Sequence, residues 1–310
     1  MKTYEHIYQH LSREHFTTGE QLAQTLNVSR SAIWKGIKTL EEKGVHIEAV
    51  KKKGYRIFSG DLLLPEVIAD ALEISVTYLS SSQSTQQDAK TAALNGATGP
   101  HLYLASTQTA ARGRLGRHFY ADPYGGIYMT LHLQPQLAYQ ELPPYTVLAA
   151  SSIVKAISRL TGIFPDIKWV NDIFINGKKM AGILSEAITS VETGQVTDVF
   201  IGIGLNFHVT HFPDDLKDIA SSLFTQEPPI TRNQLIIEIW KLFFDIPEHD
   251  HIKVYKEKSL VLDKQVTYHQ DNKLISAKAI DITDQGHLLL QTDDGGILTL
   301  ASGEVSLSSW

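Results

Sequence analysis

A run of Arg112-Gly113-Arg114-Leu115-Gly116-Arg117 lies between two apolar segments, 101–105 and 126–133, and this arrangement most limits what the chain can fold into. Three cations interleaved with two glycines do not make a packed helix, because glycine disfavours one and clustered charge cannot be buried. The apolar flanks read as strands. The run is therefore predicted to be a loop inside a folded domain, not a tail of the Arg-Gly kind that binds nucleic acid. Glycine permits close backbone approach, and guanidinium groups grip phosphate oxygens in pairs. A solvated surface loop is the plainer alternative.

The chain has 310 residues, enough for two or three domains with cores of their own. Hydrophobic residues make up 43% and charged residues 20%, values of a globular protein. No apolar run reaches the ~18 residues of a membrane helix, and the polar start, MKTYEHIYQHLSREH, is not expected to act as a signal peptide. With no cysteine, disulfides and thiolate metal sites are excluded, which fits a cytoplasmic setting.

The net charge of −6 is unevenly spread. Residues 1–60 hold ten Lys and Arg against six Glu and no Asp, a surplus of four, so the remainder carries an excess of ten negative charges. A basic end on an acidic chain suits a polyanion. Helical spacing of Tyr4, Ile7, Tyr8 and Leu11 predicts a first helix over 4–12. Thr18 caps a second helix, which carries Leu22, Ala23 and Leu26. Ser29 caps a third with a buried stripe of Ile33, Ile37 and Leu40, ended by Gly44. The outer face of the third helix bears Arg30, Ser31, Trp34, Lys35 and Lys38. Two alternating strands, 45–50 and 55–58, follow around a Lys51-Lys52-Lys53-Gly54 tip. This is the plan of a winged helix-turn-helix. Ser29, Arg30, Ser31, Trp34, Lys35 and Lys38 on the helix, and Lys51, Lys52 and Lys53 on the wing, are the expected DNA contacts. Whether Trp34 faces the groove or packs is left open, and a three-helix module that binds protein is the alternative.

Asp61 to Pro65 reads as a linker. Beyond it, a helix over 146–160 with a Gly162 stop precedes Lys168-Trp169-Val170-Asn171-Asp172, and the strand 173–175 turns at Asn176-Gly177 in a type I′ hairpin. The returning segment, Lys178-Lys179-Met180-Ala181-Gly182, brings two lysines near the Asn and the Asp. Lysine neutralises phosphate, and Asp or Asn suits Mg²⁺ or a nucleotide. Ile201-Gly202-Ile203-Gly204-Leu205-Asn206 is neither a dinucleotide fingerprint nor a P-loop. His208 and His211 are expected to be ordinary surface residues.

In order and spacing, GRLGR, KWVND, KKMAGILSE and IGIGLN resemble the signature segments of the biotin–protein ligase family, and Ser84-Thr85-Gln86 resembles its biotin-contacting Ser-Thr-Asn. With the winged helix in front, nearly the whole chain resembles the ligases that double as biotin operon repressors. The resemblance implies ATP and Mg²⁺ as cofactors and biotin as substrate. It assigns Ser84, Thr85, Gln86, Gln108, Arg112, Gly113, Arg114, Lys179, Gly182 and Gly204 to biotin. Arg114, Arg117, Lys168, Asn171, Asp172, Lys179 and Asn206 go to ATP, and Asp172 to the metal. Arg114, Lys179, Arg117 and Lys168 would be catalytic. Several positions depart from the family pattern. Gln86 is one methylene longer than the usual Asn. Val170 replaces Pro, which loosens that turn. Ala111 replaces Gly, Phe119 stands for Trp as an aromatic lid, and Ser308 replaces an Arg.

The implied fold is α+β in several domains: a winged helix-turn-helix at 1–60, a linker at 61–64, a class II synthetase-like α/β ligase domain at 65–260, and a small SH3-like β-barrel at 261–310. The helix 232–244 and the short strands 265–269, 273–281, 287–291 and 297–301 fit this division. Biotin would react with ATP to give biotinyl-5′-AMP, and a lysine of a biotin carboxyl carrier protein would then take the biotin. The adenylate would also act as corepressor, favouring a homodimer on operator DNA. Alternatives are a biotin-sensing repressor with little ligase activity, a ligase without regulatory DNA binding, and a lipoate ligase.

Overall fold

The computed structural model describes residues 1–310 except 271, 272, 302, 304 and 308–310. The turn at 271–272, Ser302 and the Ser308 departure therefore lie outside the described residues.

The N-terminal unit comprises α1 (Thr3–His10), α2 (Gly19–Thr25), α3 (Arg30–Glu42), β1 (His46–Val50) and β2 (Gly54–Ser59). Both predicted caps form: Thr18 Oγ1 accepts from Gln21 N at 3.1 Å, and Ser29 Oγ from Ala32 N at 3.2 Å. Ile7, Leu22, Ile33, Ile37, Leu40, Val45 and Ile57 close one core. The wing returns on Gly54 at φ +106°, where a Cβ would come within 2.6 Å of Thr18 Cα, so only glycine fits.

The central unit runs through α4 (Pro65–Leu72), β3 (Ser75–Leu79), α5 (Thr85–Leu94), β4 (His101–Ala105), β5 (Gly126–Leu133), β6 (Leu137–Ala138), α6 (Tyr145–Thr161), β7 (Asp166–Lys168), β8 (Asp172–Ile175), β9 (Lys178–Thr189), β10 (Gln195–Asn206), α7 (Arg232–Asp245) and α8 (Glu248–Glu257). Its sheet has the order β3-β4-β5-β10-β9-β8-β7, with β6 beside β10. Only β3 and β4 run parallel. Helix α6, almost wholly apolar on its inner side, covers one face and is itself covered by α7 and α8. Helix α5 lies on the other face, where Ala89 meets Tyr103 and Phe200. Asn176 and Gly177 both have positive φ, as the type I′ hairpin requires.

The segment expected as a linker is not a free tether. Asp61, Leu62, Leu63 and Leu64 are all buried. Leu62 and Leu64 join the winged-helix core while Leu63 joins the core of the central sheet, so alternation along an extended stretch ties the two units together.

At the C-terminal end, β11 (Gln265–Gln270), β12 (Lys273–Ile282), β13 (Leu288–Gln291), β14 (Ile297–Leu300) and β15 (Val305–Leu307) form an antiparallel sheet of order β14-β13-β12-β11-β15. The last strand was not anticipated: three residues are too short to show a period, and its pairing with β11 is set by tertiary contact.

Candidate active site and DNA-binding surface

Strand periodicity explains the Ile-Gly-Ile-Gly-Leu-Asn segment. On β10, Ile201, Ile203 and Leu205 point into the main core, and Gly202, Gly204 and Asn206 face the opposite side. Registration aligns Asp172, Gly182, Gly204 and Tyr128 across β8, β9, β10 and β5, and Leu184, Gly202 and Thr130 in the next row. Gly182, Gly202 and Gly204 leave the middle of this floor open between the side chains beside them. A Cβ on Gly204 would lie 2.6 Å from the Phe119 ring, so the glycine is what lets that aromatic lid descend.

Over this floor is a cavity of about 280 Å³. Its wall contains Ser84, Thr85, Gln86, Gln108, Arg112, Gly113, Arg114, Arg117, Asn171, Asp172, Lys179, Gly182, Gly204 and Asn206. Of the expected ligase-site residues only Lys168 is absent from that wall; it lies on β7 with Nζ 5.8 Å from the centre of the Phe174 ring. Lys178 also points away, donating to Lys217 O at 2.8 Å.

The Arg-Gly run folds into a tight turn of 3-10 type at Arg114–Gly116, closed by Gly113 N to Arg117 O at 2.8 Å. Arg112 Nη1 donates to Gly116 O at 3.1 Å, and Arg114 Nη1 to Asn171 Oδ1 and to Gly303 O of the C-terminal unit, both at 3.1 Å. Leu115 is held at φ +56° with its side chain in solvent. Lys179 Nζ stands 2.6 Å from Asp172 Oδ1, so a cation and a carboxylate face the cavity as a pair. Asn206 Nδ2 donates to Ser221 O at 3.0 Å, while its Oδ1 is buried without a hydrogen-bond partner among the described residues. Such an orphaned acceptor calls for a ligand or its bound ion.

The turn around Val170, expected to be loosened, is tied to its surroundings by two hydrogen bonds. Tyr255 Oη donates to Val170 O at 2.8 Å, and Trp169 Nε1 to Gly286 O at 2.9 Å. Burial, with a smaller contribution from the Asp172 carboxylate, pushes the Tyr255 phenol far above its usual range, so it stays a donor.

Sequence reasoning missed Thr130 and the far wall of the cavity, formed by Tyr120, Phe212, Leu216, Ile219 and Ala220. A buried threonine in the apolar run of β5 was a readable signal. The loop 208–220 carried none, because its approach to Tyr120, 6.3 Å between the Tyr120 and Phe212 ring centres, is purely tertiary.

At the basic end, Trp34 is 52% exposed, which resolves its orientation toward solvent, and Lys38 Nζ lies 4.3 Å over its ring. Lys51, Lys52 and Lys53 are exposed at the wing tip. Arg30 is engaged by Glu20 of α2 at 2.6 Å. The loop that follows the Arg-Gly run reaches this unit: the Tyr124 ring packs on Gly44 and its hydroxyl approaches Glu42 O at 3.4 Å.

Among the described residues no group of three or more His, Asp or Glu side chains is arranged to hold a metal by itself, and no helix is long and apolar enough to cross a membrane.

Comparison with known proteins matches residues 4–56 to an HTH domain, 78–206 to the biotin/lipoate A/B protein ligase family, and 261–308 to the biotin protein ligase C-terminal domain. The chain is 35% identical to the bifunctional ligase/repressor BirA of Bacillus spizizenii and 34% identical to that of Bacillus subtilis, in each case over 94% of both chains. Its fold is similar to biotin protein ligase from Aquifex aeolicus in complex with biotin and ATP, with a TM-score of 0.63 and 26% identity over 76% of this chain and 99% of that one.

Proposed function

The chain belongs to the biotin–protein ligase family, in the branch that joins a ligase to a DNA-binding repressor, and from that premise we propose how its residues divide the work. It is an ATP-dependent biotin–protein ligase that forms biotinyl-5′-AMP and transfers biotin to a lysine of biotin carboxyl carrier protein, and it represses transcription at operator DNA. The observation that carries the assignment of residues is that one cavity gathers Ser84 to Gln86, Gln108, the Arg-Gly turn, the Lys179–Asp172 pair and Asn206.

Thr85 and Gln108 hold the biotin head group, with Ser84 and Gln86 beside them. In the first step a biotin carboxylate oxygen attacks the α-phosphorus of ATP, and the bond to the leaving pyrophosphate breaks. Negative charge shifts among phosphate oxygens, so the enzyme's contribution is positioning and electrostatic. Arg114, Arg117 and Lys179 supply cations at that point, and Asn171 orients Arg114 through their 3.1 Å hydrogen bond. The wall fits Mg²⁺ brought by the nucleotide, since Asp172 offers a carboxylate and Asn206 an orphaned acceptor; Asp172 would hold the ion, which neutralises phosphate charge when bound. Lys168 acts from β7, at the edge of the site. Phe119, Phe212 and Leu216 give the apolar surface that a purine ring requires. In the second step the acceptor lysine's free amine attacks the mixed anhydride carbonyl, AMP leaves, and the amine sheds a proton.

Residues 1–60 form the DNA-binding domain, 65–260 the ligase domain and 261–310 the C-terminal domain. Ser29, Ser31, Trp34, Lys35 and Lys38 enter the major groove, while Lys51, Lys52 and Lys53 contact phosphates. Biotinyl-AMP serves as corepressor: filling the cavity orders the loop 112–125, whose Tyr124 end rests on Glu42 at the end of α3 and on Gly44 just beyond it. The filled protein forms a homodimer on a two-fold operator. A cytoplasmic location follows, because ATP, the carrier protein and DNA share that compartment.

Pyrophosphate release with ATP, Mg²⁺ and either biotin or lipoate, followed by transfer to a carrier domain, tests the ligase. Biotin-dependent release is expected; release with lipoate alone would overturn the reading. Operator affinity is expected to rise when biotin and ATP are both present, and equal affinity without them would remove the corepressor role.

A further inference from the structure

Behind the cavity wall the polar groups of Thr85 and Gln86 continue into Thr130, Glu186 and Lys90, which none of these assignments uses. Gln86, in the first turn of α5, is buried and reaches across to β9 and β10. Its Nε2 donates to Glu186 Oε2 at 2.9 Å and has Phe200 O at 3.2 Å and Leu184 O at 3.4 Å. Lys90, one helical turn on, holds the same Glu186 oxygen at 2.8 Å. On the other side of the amide, Oε1 accepts from Thr130 Oγ1 at 3.1 Å. The room for this amide comes from Gly202, where a Cβ would lie 2.5 Å from Oε1.

The orientation of the Gln86 amide follows from its surroundings. One end faces a carboxylate and two carbonyls, all acceptors, so it must be the NH₂ end. Oε1 is then forced toward Thr130, whose single hydroxyl proton is committed to it. Thr130 Oγ1 in turn lies 3.0 Å from Thr85 Oγ1, and with its own proton used it must accept there. Thr85 Oγ1 is farther from Gln108 Oε1, at 3.3 Å, and that oxygen already accepts Thr85 N at 2.7 Å. The Thr85 proton therefore goes to Thr130. Thr85 Oγ1 remains toward the cavity as an acceptor, and Gln108 Nε2 as a donor.

We infer that Glu186, held by Lys90, is a positioning residue that sets the hydrogen-bond polarity of this cavity wall through Gln86, Thr130 and Thr85. The wall then takes a ligand ring presenting N–H beside C=O, a cyclic urea or amide, and gains nothing from a ring lacking N–H. The inference rests on biotin being the substrate. Glu186 touches no substrate; it acts on ground-state binding of the ring, remote from the phosphate chemistry.

The test is steady-state pyrophosphate release by the full chain, with KM for biotin, KM for ATP and kcat read separately. Glu186→Leu removes the charged and shortest of the three acceptors at the Nε2 end, leaving only Phe200 O at 3.2 Å and Leu184 O at 3.4 Å to hold the Gln86 amide. The KM for biotin is expected to rise about tenfold, the size of one misdirected buried hydrogen bond, with KM for ATP and kcat each within about twofold. Glu186→Gln keeps an acceptor oxygen for Gln86 and is expected to hold the biotin KM within about threefold of the parent. An unchanged biotin KM in Glu186→Leu, an equal rise in KM for ATP, or no rescue by Glu186→Gln would each overturn the inference. Should Glu186→Leu fail to fold, Lys90→Met, which releases Glu186 from its ion pair, carries the same test: a rise of about threefold in biotin KM alone supports the inference, and none overturns it. A parent without biotin-dependent release would instead remove the ligase reading, and this inference with it.

Discussion

Asp61 and Arg232 form a buried ion pair at the junction between the winged helix and the ligase sheet. Arg232 Nε meets Asp61 Oδ1 at 2.5 Å, Nη2 meets Asp61 O at 2.9 Å, and Nη1 reaches Gly126 O at 3.3 Å. The aspartate thereby fixes both the exit of the DNA-binding unit and the first turn of α7. Removing one partner leaves an uncompensated buried charge, which typically costs about 3–5 kcal/mol. Asp61→Ala is expected to lose stability on that scale in urea unfolding followed by circular dichroism, and to separate the unfolding of residues 1–60 from the rest. A single transition with an unchanged midpoint would show that the pair holds nothing together.

Arg114 connects the Arg-Gly turn to Asn171 and to the C-terminal unit through one guanidinium. Arg114→Gly deletes both contacts while the remaining backbone stays compatible with the turn. Biotinyl-AMP is expected to dissociate at least about tenfold faster, consistent with the loss of about 1.5–3 kcal/mol from a charged hydrogen bond. Released adenylate would then acylate lysines on bystander proteins. The assay is release of labelled adenylate from preloaded protein, with labelling of a non-carrier protein as the second readout; parental rates in both would contradict the assignment.

The floor glycines make a steric prediction. A Cβ at Gly204 would overlap the Phe119 ring at 2.6 Å, so Gly204→Val must displace the lid or close the cavity. A loss of at least about tenfold in kcat/KM is expected, from misplacement of reacting groups by about an ångström. Phe119→Ala in the same chain should recover part of it by clearing the overlap. No recovery would mean that the valine acts through the strand and not through the lid.

Much of this was legible from the residues. The caps at Thr18 and Ser29 were readable because capping is a local hydrogen bond. The same holds for the Asn176-Gly177 hairpin, where only two residues need positive φ. The Arg-Gly run was readable as a loop from its composition, and the approach of Lys179 to Asp172 from the hairpin that joins them. What escaped depends on contacts distant in sequence. Asp61 to Leu64 looked like a linker because a charge beside three leucines gives no sign of Arg232, 171 positions away. Thr130 stood out as a polar residue in the apolar run of β5, but only its contact with Gln86 gives that signal a meaning. Lys168 was legible only in part: it pairs with cavity-lining Asp172 across β7 and β8, yet its Nζ lies 5.8 Å from the Phe174 ring centre and outside the cavity wall, a rotamer choice that spacing does not reveal.

His132 and Asp198 offer a test by pH. His132 is wholly buried, and its Nε2 lies 2.7 Å from Asp198 Oδ1, which also accepts from Gln134 at 3.0 Å. Burial alone would raise the Asp198 carboxyl, but hydrogen bonds from His132, Thr197 and Gln134 outweigh it and hold the group below its ordinary 3.8. A depressed carboxyl contributes stability that is fully present above its unfolded value and is lost as pH falls through the folded one. Asp198→Asn keeps an acceptor oxygen but exchanges charged hydrogen bonds for neutral ones, and should therefore cost about 1 kcal/mol at neutral pH. The gap between variant and parent should narrow as the pH drops below 3.8. Chemical unfolding across that range checks it; a constant gap would deny the carboxylate its role.

The recognition surface separates two kinds of contact that respond differently to salt. Trp34, half in solvent with Lys38 over its ring, holds up little of the core. Trp34→Ala is expected to leave thermal stability nearly unchanged and to weaken binding to a duplex selected by the parent protein by about 1–3 kcal/mol, through lost apolar contact in the groove. Its salt dependence should stay parental, because no phosphate contact is removed. Lys51, Lys52 and Lys53 at the wing tip are exposed, and as phosphate contacts they would not distinguish sequences. Replacing all three with Ala should lower the slope of log affinity against log salt by about 2–3, near 0.9 for each phosphate released, and weaken all sequences alike. Fluorescence anisotropy over a salt series distinguishes the two variants. A salt slope altered by Trp34→Ala, or a parental slope in the wing variant, would mean that groove and backbone contacts have been assigned to the wrong elements.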